Sequence, residues 1–498
     1  MKRSFRFIST LCLLTLLATA LAACGGSKPA STADGSQTTT EPSKETSTTT
    51  KDVPTLVWWT IGGQVPSNFS KAVDAMNAYT AEKIGVKVDI KVASWGEWDT
   101  KMNTIVNTGE PFDIMFTNSG KYSKQVAMGA FADITDLVQS ETPDLYKLIP
   151  QNVWDGTKIG GKYYSVPTYK DSALTQYWVF DDKYVQKYNI DINNIKTLHD
   201  LDKPLHDMKA GEGKSFYPLP MTQGEGLNGF FNDYDDLTLG FPPIGVKADN
   251  ASRKVVSVLE QPDVMANLKL LHQWYQDGII NPDAPTKTEA DKGRPFFAAQ
   301  AFPGAEISWQ INDNVQKYDM VQHYGPIYTT STIQGSLNAI SANSKYQKEA
   351  LKYLELVNTD PKLRNMLAFG ELGVDYKNVD GEKVIERTTD TWPLAAYTQG
   401  TFFNLAVTKG APEDQWEQVK KLNEAASSST ILGFALDISN LQTEVANCQA
   451  VWDKYKYELI TGASDPEKMV PKITAELKSA GMDTIMKAAQ EQIDNYFK

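Results

Sequence analysis

The chain has few of the residues on which most enzymes and metalloproteins depend. It has three cysteines: Cys12 lies in an apolar leader, Cys24 ends it, and Cys448 stands alone far downstream. One body cysteine forms no internal disulfide, so the fold must be held by burial. The four histidines, His199, His206, His272 and His323, are scattered, and no His-x-x-x-His or Cys-x-x-Cys pair occurs. A zinc site therefore has no donor set, and neither a metal nor a cofactor is expected. The G-x-S-x-G elbow of acyl-transfer enzymes and the G-x-x-x-x-G-K-[ST] phosphate loop are both missing. Positive charge is also in deficit, with 61 acidic against 49 basic residues and a formal charge of −12. That balance, without a basic stripe, excludes a nucleic-acid groove.

What is present begins with "MKRSFRF", which carries Lys2, Arg3 and Arg6 and no acid, followed by a short apolar run from Phe7 to Leu21. A basic start, a short apolar stretch and small residues before a cut predict a secretory signal over 1–23. The run is short for a membrane span, and no stop-transfer charge cluster follows it. Leu21-Ala22-Ala23-Cys24 resembles the bacterial lipobox. That resemblance implies that Cys24 is lipidated and becomes the new first residue. Several acyl chains on one residue anchor stably, since each buried methylene contributes about 0.8 kcal/mol. The stretch 24–52 is rich in Ser, Thr, Gly and Lys, with almost no side chain fit for a core. It is expected to act as a flexible leash.

A chain of 498 residues exceeds one ordinary core, so two domains are expected. "TLVWWT" reads as a buried strand, with one of Trp58 and Trp59 in the core. A helix follows with Phe69, Val73 and Met76 on one face, then "VKVDIKVA", whose alternation predicts a strand. A helix over 99–106 and the strand "FDIMFT" complete a β-α-β-α-β order, the mark of a parallel sheet. Trp98 and Asp113 fit structural roles, core packing and backbone bonding. Ligands of such sheets sit beyond the strand carboxyl ends, here "TIGGQVP", "ASWGEW" and "TNSGKY". Further on, "QPDVMANLKLLHQWYQDG" and "YQKEALKYLELV" read as helices, "AAQAFPGAEISWQI" as a small-residue strand leading to Glu306 and Trp309, and the chain from Trp416 onward as mainly helical. Val445, Cys448, Trp452, Tyr455 and Leu459 share one helical face, which makes Cys448 a buried structural thiol. "NDYDDLTLG" lacks the distal Glu of a calcium loop and reads as a solvated turn.

The chain holds 11 Trp, 22 Tyr and 19 Phe, many of them beside Gly, Asn, Gln or Asp. Aromatic faces pack on the C–H faces of sugar rings while neighbouring polar groups bond the hydroxyls. On this ground Trp95 and Trp392, beside Gly, Glu or Pro in predicted loops, are candidate ligand contacts.

The order "TLVWWTIGG", "GEPFDIMFTNSGKYSKQVAMGAFADIT", "GKYYSVPTYKDSALTQYWVFDDKYV", "AFPGAEISWQ", "SLNAISANSKYQKEALKYLELV" resembles the solute-binding lipoproteins of bacterial ABC importers. In particular it resembles the sugar-binding group that includes maltose-binding protein, and the run from "GFALDISNLQ" to the end is similar to the tail of Gram-positive oligosaccharide binders. The resemblance implies a two-lobed α/β fold of the periplasmic-binding-protein type (type II), with hinged lobes and a helical C-terminal region. Lobe one would comprise 53–168 and 333–385, and lobe two 169–332 and 386–498. It places Gln64 in the loop after the first strand, and Thr117, Asn118, Lys121 and Tyr122 in the loop after the third. Tyr169 and Asp171 fall near the lobe crossover. Phe230, Phe231, Glu306 and Trp309 lie on the second lobe. Thr117 stands where maltose binders carry an aromatic. The implied role is capture of a carbohydrate, without catalysis, by a monomer held at the outer membrane face through lipid alone, for delivery to ABC permease subunits. The competing readings are an anchored glycoside hydrolase, for which Glu97, Asp113, Asp171 and Glu306 supply carboxyls but no evident pair, and a sensory co-receptor with the same lobes.

Overall fold

The computed structural model describes residues 53–223, 227–389 and 391–498, together with the backbone but not the side chains of Trp95, Asn228 and Phe230. The leader, Cys24 and the linker lie outside the described residues. Residues 52–498 form one compact unit.

In chain order the strands are β1 Thr55–Ile61, β2 Lys87–Ala93, β3 Ile114–Thr117, β4 Ser165–Pro167, β5 Leu174–Asp181, β6 Tyr234–Asp235, β7 Ile244–Lys247 and β8 Val255–Ser257. They continue as β9 Phe296–Gln300, β10 Tyr318–Tyr328, β11 Leu337–Ile340, β12 Tyr376–Asp380, β13 Val384–Arg387, β14 Val407–Thr408 and β15 Ser427–Ser428. Two sheets dominate. The first has the order β2-β1-β3-β11-β4, and the second β15-β10-β5-β9. Three-stranded sheets β6-β7-β8 and β12-β13-β14 complete the set.

In the first sheet β1 runs parallel between β2 and β3, as the β-α-β-α-β order requires, and β11 and β4 close it antiparallel. The helix Phe69–Ile84 buries Phe69, Ala72, Val73 and Met76 at helical spacing against one face. Both tryptophans of β1 are buried. Trp58 donates Nε1–H to Asn338 Oδ1 at 3.1 Å, and Trp59 packs on the opposite face with Trp98 and Phe116. Asp113 ties β3 to its neighbours, with Oδ2 accepting from Val57 N at 2.8 Å and Oδ1 from Ser344 Oγ at 2.5 Å. The helix expected over 99–106 extends over Trp95–Thr108.

The second sheet packs Trp178, Phe180 and Phe296 on one face and Tyr177, Val179 and Phe297 on the other, the alternation of a strand buried on both sides. Chain passages join the two sheets between β4 and β5, between β10 and β11, and through the helix Gln415–Ala425 into β15. A further core gathers β6, β7 and β8 with the helices Gln442–Ile460, Pro466–Ser479 and Met482–Tyr496. Cys448 is fully buried there, its thiol donating to Leu477 O at 3.6 Å, and burial pushes it up to about 11.

Three expectations need correction. The segment 386–408, placed by sequence in the second lobe, packs on the first sheet. Trp392 and Leu394 join the core of Leu56 and Trp58, because Arg364 binds the carbonyls of Ala396, Gly400 and Thr401 and holds the segment there. The strand stops at Gln300, and after Gly304, φ 89°, "AEISW" forms the helix Ala305–Asp313. The acidic "NDYDDLTLG" is no solvated turn: Asp235 is 1 % exposed.

Candidate functional site

The loop after β1 is fixed by the segment that follows β13. Gly62 pairs with Leu394, and Gly63 N donates to Pro393 O at 2.8 Å. A Cβ on Gly62 would lie 2.4 Å from Pro393 O, so only glycine allows this approach. Below it, the Thr60 and Thr398 hydroxyls meet at 2.9 Å. Arg364, fully buried, anchors the next turn through Nε to Thr401 O at 2.8 Å and Nη1 to Gln399 Oε1 at 2.6 Å. The carboxyl end of β1 thus gains a rigid wall.

The facing wall starts at the carboxyl end of β9. Pro303-Gly304 breaks the strand, Gln415 Nε2 holds Pro303 O at 3.0 Å, and the helix Ala305–Asp313 departs. Between the walls runs a groove of about 730 Å³, within the range of small-ligand sites. Phe302, Trp392, Phe402 and Trp416 line its aromatic floor, and Ser308, Asn312, Thr388 and Thr389 supply hydroxyl and amide groups. Trp416 sits 4.8 Å from Phe402 and 5.7 Å from Phe302 between ring centroids, and its buried Nε1–H has no acceptor among the described residues. Glu386, Arg387 and Lys409 add charged groups to the lining. Apolar ring faces beside polar donors and acceptors suit a polyhydroxylated ring. Among the described residues no cluster of three His, Cys, Asp or Glu side chains is placed to hold a metal.

The structure disperses the expected site residues. Gln64 is exposed on the loop after β1, beside the groove wall. Asn118 is half-buried at the start of the helix Ser119–Ala127, where its carbonyl accepts from Lys121 N and Tyr122 N. Lys121 pairs with Asp99 at 2.9 Å. Thr117 is buried, its hydroxyl donating to Gln125 Oε1 at 2.5 Å, and makes no ligand surface. Tyr122 is a core residue: fully buried, stacked on Phe131, its hydroxyl donating to Thr157 O and accepting from Tyr164 N. Burial pushes its phenol well above the ordinary range.

Tyr169 is buried edge-on to Phe403 at 4.6 Å, and Asp171 is tied to Lys170 at 2.7 Å. Phe231 is buried edge-on to Trp452 in the C-terminal core. These aromatics face inward because their neighbours complete hydrophobic clusters. Trp392 is 6 % exposed and donates Nε1–H to Leu367 O, so it belongs chiefly to the core, though it borders the groove. Trp309 is half-buried, edge-to-face on Phe297 at 5.3 Å, and its helix turns it toward the second sheet rather than the groove. Glu306 is half-buried with Oε2 unpartnered. Near it Tyr177 is pushed up to about 12, by burial first and by the Glu306 charge second. The side chains of Trp95 and Phe230 lie outside the described part.

Sequence reasoning missed Phe302, Phe402 and Trp416. Phe302 stands beside Pro303-Gly304, so the aromatic-next-to-Pro-or-Gly signal that picked out Trp392 applies to it equally. Also missed was the parallel stack of His323 on Trp178, 3.4 Å between centroids, which burial holds neutral with the imidazole down at about 4.

Residues 62–362 match the bacterial extracellular solute-binding protein family, and residues 430–498 match a domain of unknown function, DUF3502. A carbohydrate ABC transporter substrate-binding protein of Streptococcus pneumoniae is 27% identical over 467 residues, covering 90% of this chain and 92% of the relative. The crystal structure of the N-glycan transport solute binding protein NgtS from Streptococcus pneumoniae superimposes with a TM-score of 0.79 at 26% identity, covering 89% of this chain and 99% of that one. The same protein in complex with Man5GlcNAc gives a TM-score of 0.73 at 26% identity, over 89% and 98% of the two chains. An HMO-binding, ABC-transporter-associated solute binding protein of Bifidobacterium longum infantis shares the fold at 15% identity and a TM-score of 0.61, covering 89% of this chain and 99% of that one. Two sheets joined by chain passages, a groove at their strand ends and a family match across most of both sheets lead to one assignment: the chain belongs to the bacterial extracellular solute-binding proteins.

Proposed function

We propose that the protein captures an oligosaccharide of the N-glycan class outside the cell and delivers it unaltered to an ABC importer. The observation that carries this is the correspondence along nearly the whole chain with a receptor crystallised with Man5GlcNAc. The aromatic groove with its hydrogen-bonding groups supports it chemically. The protein works as a monomer at the outer membrane face, attached by lipid on Cys24, and the Leu21-Ala22-Ala23-Cys24 sequence supports that placement.

The test is thermal unfolding of the full-length protein with Man5GlcNAc, maltotriose and a dipeptide mixture. A bound ligand raises stability by RT ln(1 + [L]/Kd), about 2.7 kcal/mol at a hundredfold excess over Kd. Man5GlcNAc should raise the midpoint, maltotriose and the peptides should not, and mass spectrometry should recover the glycan intact. A shift with peptides alone would overturn the sugar assignment. Steady release of shorter sugars would replace binding by hydrolysis.

A further inference from the structure

The acidic stretch 232–240 takes no part in the groove and is held under strain. Leu237 and Thr238 both have positive φ, 60° and 63°, a left-handed conformation that a β-branched threonine rarely adopts. Asp235 is buried. Its Oδ1 accepts from Leu237 N at 3.2 Å, and its Oδ2 is sealed from solvent. Asp236 accepts from Thr238 N and Gly240 N, both at 3.1 Å, and from the Ser331 hydroxyl.

Ser331 belongs to the short helix Thr330–Ile333, inside the passage from β10 to β11 that joins the second sheet to the first. The same passage is fastened on the other side, where Gln334 Nε2 donates to Gly156 O at 2.9 Å and Thr168 N to Ser336 O at 3.1 Å. The far end of the acidic strap also reaches the first lobe. A Cβ on Gly240 would lie 3.0 Å from Gly120 Cα, at the start of the helix Ser119–Ala127, and Gly240 has φ +75°. One strained segment of the second lobe therefore grips the inter-lobe passage and abuts the first lobe.

We propose that this strap is a proton-linked latch between the lobes: Asp236 clasps the passage through Ser331, Gly240 seats against Gly120, and the uncharged form of Asp235 permits that packing. The proposal rests on the two-lobed architecture and not on the identity of the cargo. Burial, then the Asp236 charge, push the Asp235 carboxyl up to about 7 against the bonds from Ser429, Leu237 and Thr330. The surrounding charges do not offset this. Asp233 lies on the strap and is itself raised, and Asp249 follows β7. Tyr324 of β10 donates to Asn232 O, Lys247 of β7 is engaged by Asp263 at 3.2 Å, and Arg253 binds Thr430 O.

A carboxyl raised only in the latched state binds its proton more tightly there, so acid favours the latch. Between the ordinary carboxylate range and about 7 the latched-to-unlatched ratio falls by up to about tenfold per pH unit, and above that it levels off. Two ligand-free measurements on the full-length protein test this. The wild-type unfolding midpoint should fall from pH 5 to pH 8, whereas that of Asp235→Asn should stay nearly level. By X-ray scattering the wild-type radius of gyration should rise over the same window, and it should not change in Asp235→Asn or in Ser331→Ala. Parallel scattering profiles in wild type and Asp235→Asn would overturn the latch, even with the midpoints altered, because a purely structural Asp235 changes stability alone. Should Asp235→Asn fail to fold, Ser331→Ala decides: loss of the wild-type pH response supports the latch, and a retained response overturns it. Neither readout involves sugar, so failure here is distinct from failure to bind glycan.

Discussion

The hydroxyl of Tyr122 donates to Thr157 O at 2.9 Å and accepts from Tyr164 N at 3.2 Å, inside a core where the ring stacks on Phe131. Tyr122→Phe leaves a buried carbonyl and a buried amide without that partner, a loss of about 1–3 kcal/mol. Denaturant unfolding should show that loss while calorimetry shows unchanged glycan affinity. A tenfold loss of affinity at an unchanged midpoint would return Tyr122 to the binding surface. The residue was misread because it shares a strand-end loop with Asn118 and Lys121. A helix begins at Ser119, and each helical residue turns about 100° from the last, so Lys121 and Tyr122 leave the helix in different directions. Where sequence supplied a face rather than a loop the reading held: Cys448 and Trp98 are buried, whereas of the β1 tryptophans one was expected in the core and both lie there. Asp235 was illegible for another reason. Asn, Asp and Gly favour turns by local hydrogen bonding, and only the tertiary packing reveals that this turn lies inside the molecule.

At the scale of elements, periodic segments were legible and hinge-like ones were not. β1, β2, Pro262–Gln276, Gln347–Thr359 and Gln442–Ile460 occur where alternation or helical spacing predicts them. The helix Ala305–Asp313 was read as the end of a strand, because Ala298, Ala299 and Ala301 give no period and Pro303-Gly304 was not taken as a break. The consequence is functional. In the helix, Ser308, Ile311 and Asn312 face the groove and Trp309 turns down onto Phe297. Trp309→Ala should therefore cost stability, about 1–3 kcal/mol, below the ~3–5 kcal/mol of a fully buried tryptophan. Trp416→Ala removes an aromatic floor instead, and a loss near 1.4 kcal/mol lowers glycan affinity about tenfold. Unfolding midpoints and titrations on both variants check this. The opposite pattern, affinity lost at Trp309 and retained at Trp416, would move the site off the groove.

For the whole molecule the decisive feature is where packing begins. Among the described residues the first sheet draws its core from Leu56 onward, and the first backbone bond into it is made at Pro54 O, which accepts from Lys87 N at 2.9 Å. The C-terminal helices do not stand apart, since Trp452, Ile473 and Ile485 close a core shared with Phe241 and Val246. The folded unit thus spans 52–498, and Cys24 precedes it by more than a score of residues. Anchoring and folding should consequently separate. Cys24→Ser removes the sulfur that a lipid would modify and leaves the cores of the described residues unchanged in sequence, so the variant should leave the membrane fraction and appear in the medium. Its unfolding midpoint and its response to Man5GlcNAc should match those of the anchored protein after detergent extraction. Each additional acyl chain multiplies membrane affinity, because every buried methylene contributes about 0.8 kcal/mol, so loss of the anchor should be complete rather than graded. Retention of Cys24→Ser through salt and carbonate washing would show that some other part of the chain holds the membrane. Release accompanied by a lowered midpoint would instead show that residues before Thr55 contribute to the fold.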